Sequence, residues 1–233
     1  AEAHLAIERT PVALGIRIAH PQTCADRRQD RLAGQDAAAS RDVPPAAYSL
    51  VTQVEGGGVF SFCMCPGGVI APCATEDGEI VTNGWSPSKR NNAWANSGIV
   101  TTIEAADLDA AGHEGPLGGV AFQRAVEQAC HQAGGGGQVA PAQRLTDFVR
   151  RRVSKDLPNC SYLAGLKSVD LTKVLPGFVV DRLIAGILDF ERKMPGYLHE
   201  EAVVVAPESR TSSPVRMVRD PKACTMPGAD GLY

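Results

Sequence analysis

Hydrophobic and polar positions follow two different periods along this chain, and the change between them sets the reading of the fold. In the first half the apolar residues come in short runs with a period near two, rich in β-branched side chains. LGIRIAH (14–20) is the first. AYSLVTQV (47–54), GVFSFCMC (58–65), GVIAPCAT (68–75), EIVTNGW (79–85) and GIVTTIE (98–104) follow. Gly56-Gly57-Gly58, Pro66-Gly67-Gly68, Asp77-Gly78 and the polar run 86–96 separate them. Short strands at this spacing predict a meander or a small barrel. Glu76-Asp77-Gly78 between two such runs predicts a hairpin. The stretch from Gln22 to Pro45 has no sustained apolar face and reads as a long loop with at most one helical turn.

The middle of the chain moves to a period near 3.6. PLGGVAFQRAVEQACHQAGGGG (116–137) places Val120, Ala121, Val126, Ala129 and Cys130 at helical spacing, with Pro116 as a start and the glycine run as a stop. AQRLTDFVRRRV (142–153) predicts a second helix, with Leu145, Phe148 and Val149 on one face. A third spans about 177–193, where Phe178, Leu183, Ile184, Ile187, Leu188 and Phe190 form an apolar stripe between Pro176 and Pro195-Gly196. The end returns to strands, AVVVAPE (202–208) and SPVRMVRD (213–220). Strands, then helices, then strands predict an α+β architecture: a β-rich, barrel-like subdomain of residues 1–107 and 202–233, interrupted by a helical subdomain of residues 108–201. Alternating βαβ units are absent, so a complete Rossmann fold is not expected.

Composition narrows the function. The formal net charge of -3 lacks the excess of basic residues that a nucleic-acid face requires. The basic run Arg150-Arg151-Arg152 falls at a predicted helix end, where cations meet the negative end of the dipole. No stretch approaches the roughly 20 apolar residues of a membrane span. The N-terminus has no basic segment leading into an apolar run, so it does not read as a signal peptide. It has no initiator Met, and GADGLY stops on an apolar pair after a turn. Both ends are expected to be interior points of a longer chain. The seven cysteines are odd in number and scattered, which suits free thiols in a reducing cytoplasm.

Two segments are dense in candidate chemistry. In FCMCPGG, Cys63 and Cys65 point to one face of a strand, and Gly67 and Gly68 allow backbone to approach a ligand closely. One reading makes the cysteines small core residues. The other makes them the lining of a pocket. CxC by itself is not a tetrahedral zinc set, and no metal site is expected. In ESRTSSPVR, Arg210, Thr211, Ser212, Ser213 and Arg216 gather two guanidinium forks and three hydroxyls, a chemistry suited to carboxylate or phosphate. The plainer reading is a solvated turn. His20 reads as a polar strand end. Neither a GxGxxG turn, a P-loop nor a GxSxG elbow occurs, and Gly134–Gly137 follows a helix rather than a strand.

LGIRIAHPQ, FSFCMCPGG, VTNGWS, Trp94-Ala95-Asn96-Ser97-Gly98, PLGGVAFQR and ESRTSSPVRMVRD together resemble the bacterial FAD-dependent dehydrogenases described as NAD(FAD)-utilizing, relatives of the HI0933-like flavoproteins. The resemblance runs in order over nearly the whole chain, departing from the pattern at 26–43. It implies a split FAD fold, with a Rossmann half before this region and a GEGAGYAGG-like glycine-rich half after it. This chain would be the insert between them, capping a flavin supplied by the FAD-binding domain of the same parent protein and shaping a small-molecule pocket. It implies that Cys63, Cys65, Gly67 and Gly68 lie near that pocket, and that Arg210, Thr211, Ser212, Ser213 and Arg216 anchor an anionic substrate or flavin phosphate. The catalytic acid and base are not identified, and the isolated chain is expected to be inactive. The competing class is a non-catalytic binding module recognising RNA or a protein. A concave pocket around Arg210 and Arg216 favours a small molecule, and a broad basic face favours a polymer.

Overall fold

The computed structural model describes residues 6–26 and 44–227. Most of the expected loop from Gln22 to Pro45, and the segment GADGLY, lie outside them. The chain forms β1 (Ile7–Arg9), β2 (Val12–Pro21), β3 (Val51–Val54), β4 (Gly57–Cys65), β5 (Val69–Pro72), β6 (Thr82–Trp85) and β7 (Trp94–Ile103). Then follow α1 (Ala105–Ala110), α2 (Gly118–Gly134), β8 (Ala140–Arg144), α3 (Leu145–Val149), β9 (Leu166–Ser168), α4 (Gly177–Lys193), β10 (Val203–Glu208) and β11 (Val215–Met217).

The fold is α+β, around a seven-stranded sheet in the order β3-β4-β7-β2-β10-β8-β9. All neighbours are antiparallel except β8 and β9. The sheet is open, with β3 and β9 at its edges, so the expected barrel does not close. The meander breaks because β5 and β6 pair only with each other, forming the hairpin expected across Glu76-Asp77-Gly78. β1 and β11 make a second separate pair.

β2 is the centre. Its residues from Val12 to His20 are all buried, so both faces of this strand are covered. Strand alternation puts Val12, Leu14, Ile16 and Ile18 on one face, where they join the main core with Val179, Leu183, Ile187 and Phe190 of α4. Each fully buried side chain of this size stabilises the fold by roughly 1.5–3 kcal/mol. The other face of β2 carries Ala13, Gly15, Arg17 and Ala19. An arginine at the middle of this strand requires a dedicated set of partners.

The helix at 177–193 has the expected extent, and Arg192 and Lys193 occupy its last turn. Leu188, expected in its apolar stripe, is exposed instead. α2 ends on Gly135, whose left-handed φ of 96° lets Gly136 N–H return to the His131 carbonyl at 3.1 Å. The helix expected over 142–153 is corrected: 140–144 is a strand paired with β10 and β9, and helix occupies only 145–149. Small residues at Ala140 and Ala142 fit between two strands, and that pairing overrides helical propensity. Segment 108–201 therefore supplies α2, α3 and α4 and also two strands of the central sheet.

Candidate functional site

Arg17 occupies the second face of β2 with no exposed surface. Its Nε donates to Glu208 Oε2 at 2.8 Å and its Nη2 to Glu208 Oε1 at 3.0 Å. Nη1 donates to Asn96 Oδ1 at 2.7 Å and to the Cys63 carbonyl at 3.3 Å. Burial opposes the charge of Arg17, but the Glu208 fork outweighs it and holds the guanidinium above its ordinary range. The β5–β6 hairpin closes over this group at Gly84. A methyl added there would come within 2.1 Å of both Arg17 Nη1 and Asn96 Oδ1, so only glycine fits.

The two residues after Glu208 carry a second ion pair. Ser209 Oγ donates to Glu127 Oε1 at 2.6 Å, and Arg210 grips the same carboxylate through Nε at 2.8 Å and Nη2 at 2.7 Å. Glu127 is fully buried on α2, one turn after Gln123, which donates to the Ser209 carbonyl. The Glu127 bond holds the Arg210 guanidinium above its ordinary range. Three consecutive residues, Glu208-Ser209-Arg210, are thus fixed to two buried opposite charges from different elements.

Beyond Arg210 the chain borders an open cleft of about 530 Å³. Glu76, Arg124, Arg210, Thr211, Ser212 and Ser213 line it. Arg124 pairs with Glu76 at 2.8 Å and with Glu79 at 3.1 Å, so both arginines of the cleft have carboxylate partners. Thr211 Oγ1 donates to the Ala13 carbonyl, and Ser213 Oγ to the Val215 carbonyl. Among the described residues, Arg210 Nη1 and the Ser212 hydroxyl remain without an intramolecular partner. They are side-chain donors left uncommitted in this segment.

Arg216 lies apart. It pairs with Glu8 at 2.6 Å across β1 and β11, and both side chains are at least half exposed. Cys63, Cys65, Gly67 and Gly68 sit on the Arg17 side of the sheet. Cys63 is exposed and Cys65 buried, with their sulfurs 4.0 Å apart. Burial, and next the neighbouring Cys63, push the Cys65 thiol up to about 11. The close approach that Gly67 permits is to the protein itself: with φ at 52°, an added methyl would meet the Arg90 carbonyl oxygen at 1.9 Å. Its N–H donates to Gln22 Oε1 at 2.7 Å. Gly68 is packed likewise against the Trp85 carbonyl. The structure therefore gathers Arg210 to Ser213 at the cleft and the cysteine–glycine segment around Arg17, with Glu208-Ser209 as the link.

Sequence reasoning missed Arg17, Glu208, Asn96, Glu79 and Glu127. Two of them had a signal. Arg17 is the one charge within an otherwise apolar strand pattern. Glu127 falls on the same helical face as Val126 and Cys130, where a lone carboxylate requires a partner. Arg151 and Arg152 pair with Asp181 and Asp147, which gives that basic run local partners.

Gly134–Gly137 caps the C-terminal end of α2, where carbonyls rather than free N–H groups project. Among the described residues no helix is long and apolar enough to cross a membrane.

The described residues thus form an α+β domain with an open, charged cleft at one margin of its sheet. Residues 11–211 match the FAD-dependent protein, C-terminal domain-like family, and the chain belongs to it. It is similar to an uncharacterized protein of Clostridium beijerinckii, 38% identical over 221 residues. That alignment covers 93% of this chain and 40% of the relative, so the chain spans well under half of that protein's length.

Proposed function

We propose that this chain is the substrate-side domain of a bacterial, cytoplasmic FAD-dependent oxidoreductase. Membership of the FAD-dependent family over residues 11–211 is the observation that carries this reading. In this reading the FAD is held by another part of the same protein, and the glycine run Gly134–Gly137, at a helix C-terminal end, does not hold its pyrophosphate. The resemblance to NAD(FAD)-utilizing dehydrogenases supports an insert between two halves of that FAD-binding domain. In this reading residues 209–213 form the margin that meets it. Arg210, held rigid by Glu127, presents Nη1, and Ser212 presents its hydroxyl, to an anionic group of the small-molecule substrate or of the flavin. Rigidity matters here because a pre-positioned guanidinium loses little freedom on binding. The concave shape of the cleft and the carboxylate partners of its arginines favour a small ligand over a polymer.

The test is the visible absorbance spectrum of the full-length protein, followed by a screen of reductants that bleach the flavin. A stoichiometric flavin, reduced by one class of small molecule, supports the reading. A full-length protein that retains no flavin, or whose flavin no reductant bleaches, contradicts it.

A further inference from the structure

Away from the Arg210 cleft, Cys63 and Cys65 are held in an arrangement that sheet packing does not require. The register of β4 against β7 slips between Phe62 and Cys65. Cys63 sits in the slip with φ at 47°, a left-handed conformation uncommon for residues other than glycine. Its surroundings are identifiable. Arg17, buried and clamped by Glu208, donates to the Cys63 carbonyl at 3.3 Å, and the tightly packed Pro66-Gly67-Gly68 turn fixes the chain just beyond Cys65.

The bulge brings the two sulfurs to 4.0 Å. A disulfide requires about 2.05 Å, so an approach of about 2 Å separates the reduced pair from a closed one. The two thiols also differ in access. Cys63 is exposed, while Cys65 is only 4% exposed and rests with its sulfur 3.2 Å from the Cys63 carbonyl. An outer thiol open to a reagent, with an inner thiol directly behind it, is the layout of an attacking and a resolving cysteine. Cys73 is not part of it, since its sulfur is turned to the Ala71 carbonyl.

We propose that Cys63 and Cys65 are a redox-active dithiol that exchanges with small disulfides, a function separate from the flavin reading above. Cys63 gives its proton to solvent, and its thiolate attacks a disulfide RSSR. A bond forms between Cys63 Sγ and one sulfur, the S–S bond of the reagent breaks, and RS⁻ leaves to be protonated from solvent. Cys65 then attacks Cys63 Sγ. The mixed disulfide breaks, the second RS⁻ leaves, and the proton of Cys65 ends on it. The protein dithiol is oxidised to an internal disulfide and RSSR is reduced to two RSH. Cys65, only 4% exposed, is shielded from the outside reagent and reaches only the sulfur of Cys63. Arg17 is a positioning residue in this scheme, because it holds the bulge that brings the sulfurs together.

The experiment uses the full-length protein, reduced and then equilibrated with graded ratios of oxidised to reduced glutathione. After acid quenching and alkylation, peptide masses locate each thiol. The expected result is that the peptide carrying Cys63 and Cys65 loses two hydrogens at lower oxidant ratios than any pairing or capping at Cys24 or Cys224. Cys65→Ser is expected to accumulate glutathione on Cys63 in place of the closed pair, and Cys63→Ser to accumulate none on Cys65. The wild-type titration decides the matter even if a variant fails to fold. A peptide doubly alkylated at every ratio overturns the proposal. So does wild-type protein that stops at a glutathione adduct on Cys63 without closing to Cys65.

Discussion

Arg17 and Glu208 meet fork to fork between neighbouring strands, at 2.8 and 3.0 Å, with their side chains 0% and 4% exposed. Removing two charges from water is costly, and their attraction offsets this only when geometry and additional bonds are good. Here the third nitrogen is also committed, to Asn96 and to the Cys63 carbonyl. The pair's value lies in position: it ties β2, β4, β7 and β10 together at one point.

Breaking the pair from one side leaves a buried charge uncompensated. Glu208→Ala is expected to lose about 3–5 kcal/mol of unfolding free energy. Arg17→Met combined with Glu208→Leu is expected to recover most of it, since an apolar pair of similar volume carries no desolvation cost. Urea denaturation of the two variants checks this. A Glu208→Ala loss below about 1 kcal/mol would place the pair among solvent-screened contacts instead.

Gly84 is the lid on Arg17. Gly84→Ala forces its methyl against a guanidinium that Glu208 does not release, an overpacking expected to cost about 1–3 kcal/mol. Gly78→Ala is the comparison within the same hairpin, because an added methyl there meets nothing within 4 Å. Gly78 has φ at 78°, so its replacement reports conformational strain without the clash. Thermal melts of the two variants are expected to rank Gly84→Ala as the less stable; the reverse order contradicts the packing described.

His20 links stability to pH. Burial drives its pKa from 6.5 down to about 4, against the opposing effect of the Tyr197 carbonyl and with a further lowering by His199. The folded protein therefore holds His20 neutral where the unfolded chain binds a proton. Stability from this residue is complete above pH 6.5 and falls as the pH drops toward 4, by up to about 1.4 kcal/mol per pH unit. His20→Asn is expected to remove this slope. Denaturation series across that window, compared between the two proteins, test it; equal slopes contradict a buried neutral imidazole.

Arg210→Ala leaves the buried Glu127 with Ser209 alone. The loss is expected to be about 1–2 kcal/mol, at the low end for a charged hydrogen bond because the Arg210 side chain is 45% exposed and solvent screens it. Glu127→Gln added to Arg210→Ala is expected to restore part of it. Chemical denaturation of both variants distinguishes this from a surface arginine, whose removal changes little.

The apolar periods carried the elements well where packing and periodicity agree. The stripe from Phe178 to Phe190 marked α4 because its other five residues outweigh a single exposed Leu188. β8 was hidden because Ala140-Pro141-Ala142 has no β-branched residue, and its strand state comes from β10 and β9 beside it. Sheet order was likewise out of reach, since β7 returns to lie between β2 and β4 through contacts far apart in sequence. At the site, the density of ESRTSSPVR was legible, but its internal division was not. Glu208 and Arg210 turn to different buried partners, and Arg216 leaves for Glu8. Ion-pair choice depends on which elements come together in space, and composition does not carry that.

In the proposed function, residues 209–213 meet the flavin-bearing part of the parent protein. Hydrogen exchange on the full-length protein, FAD-loaded and FAD-stripped, tests it most directly. Peptides covering 209–214 and 75–76 are expected to exchange more slowly with FAD bound, while those carrying the exposed Arg216–Glu8 pair on β11 and β1 are unchanged. Equal exchange across 209–214 in the two states would contradict it.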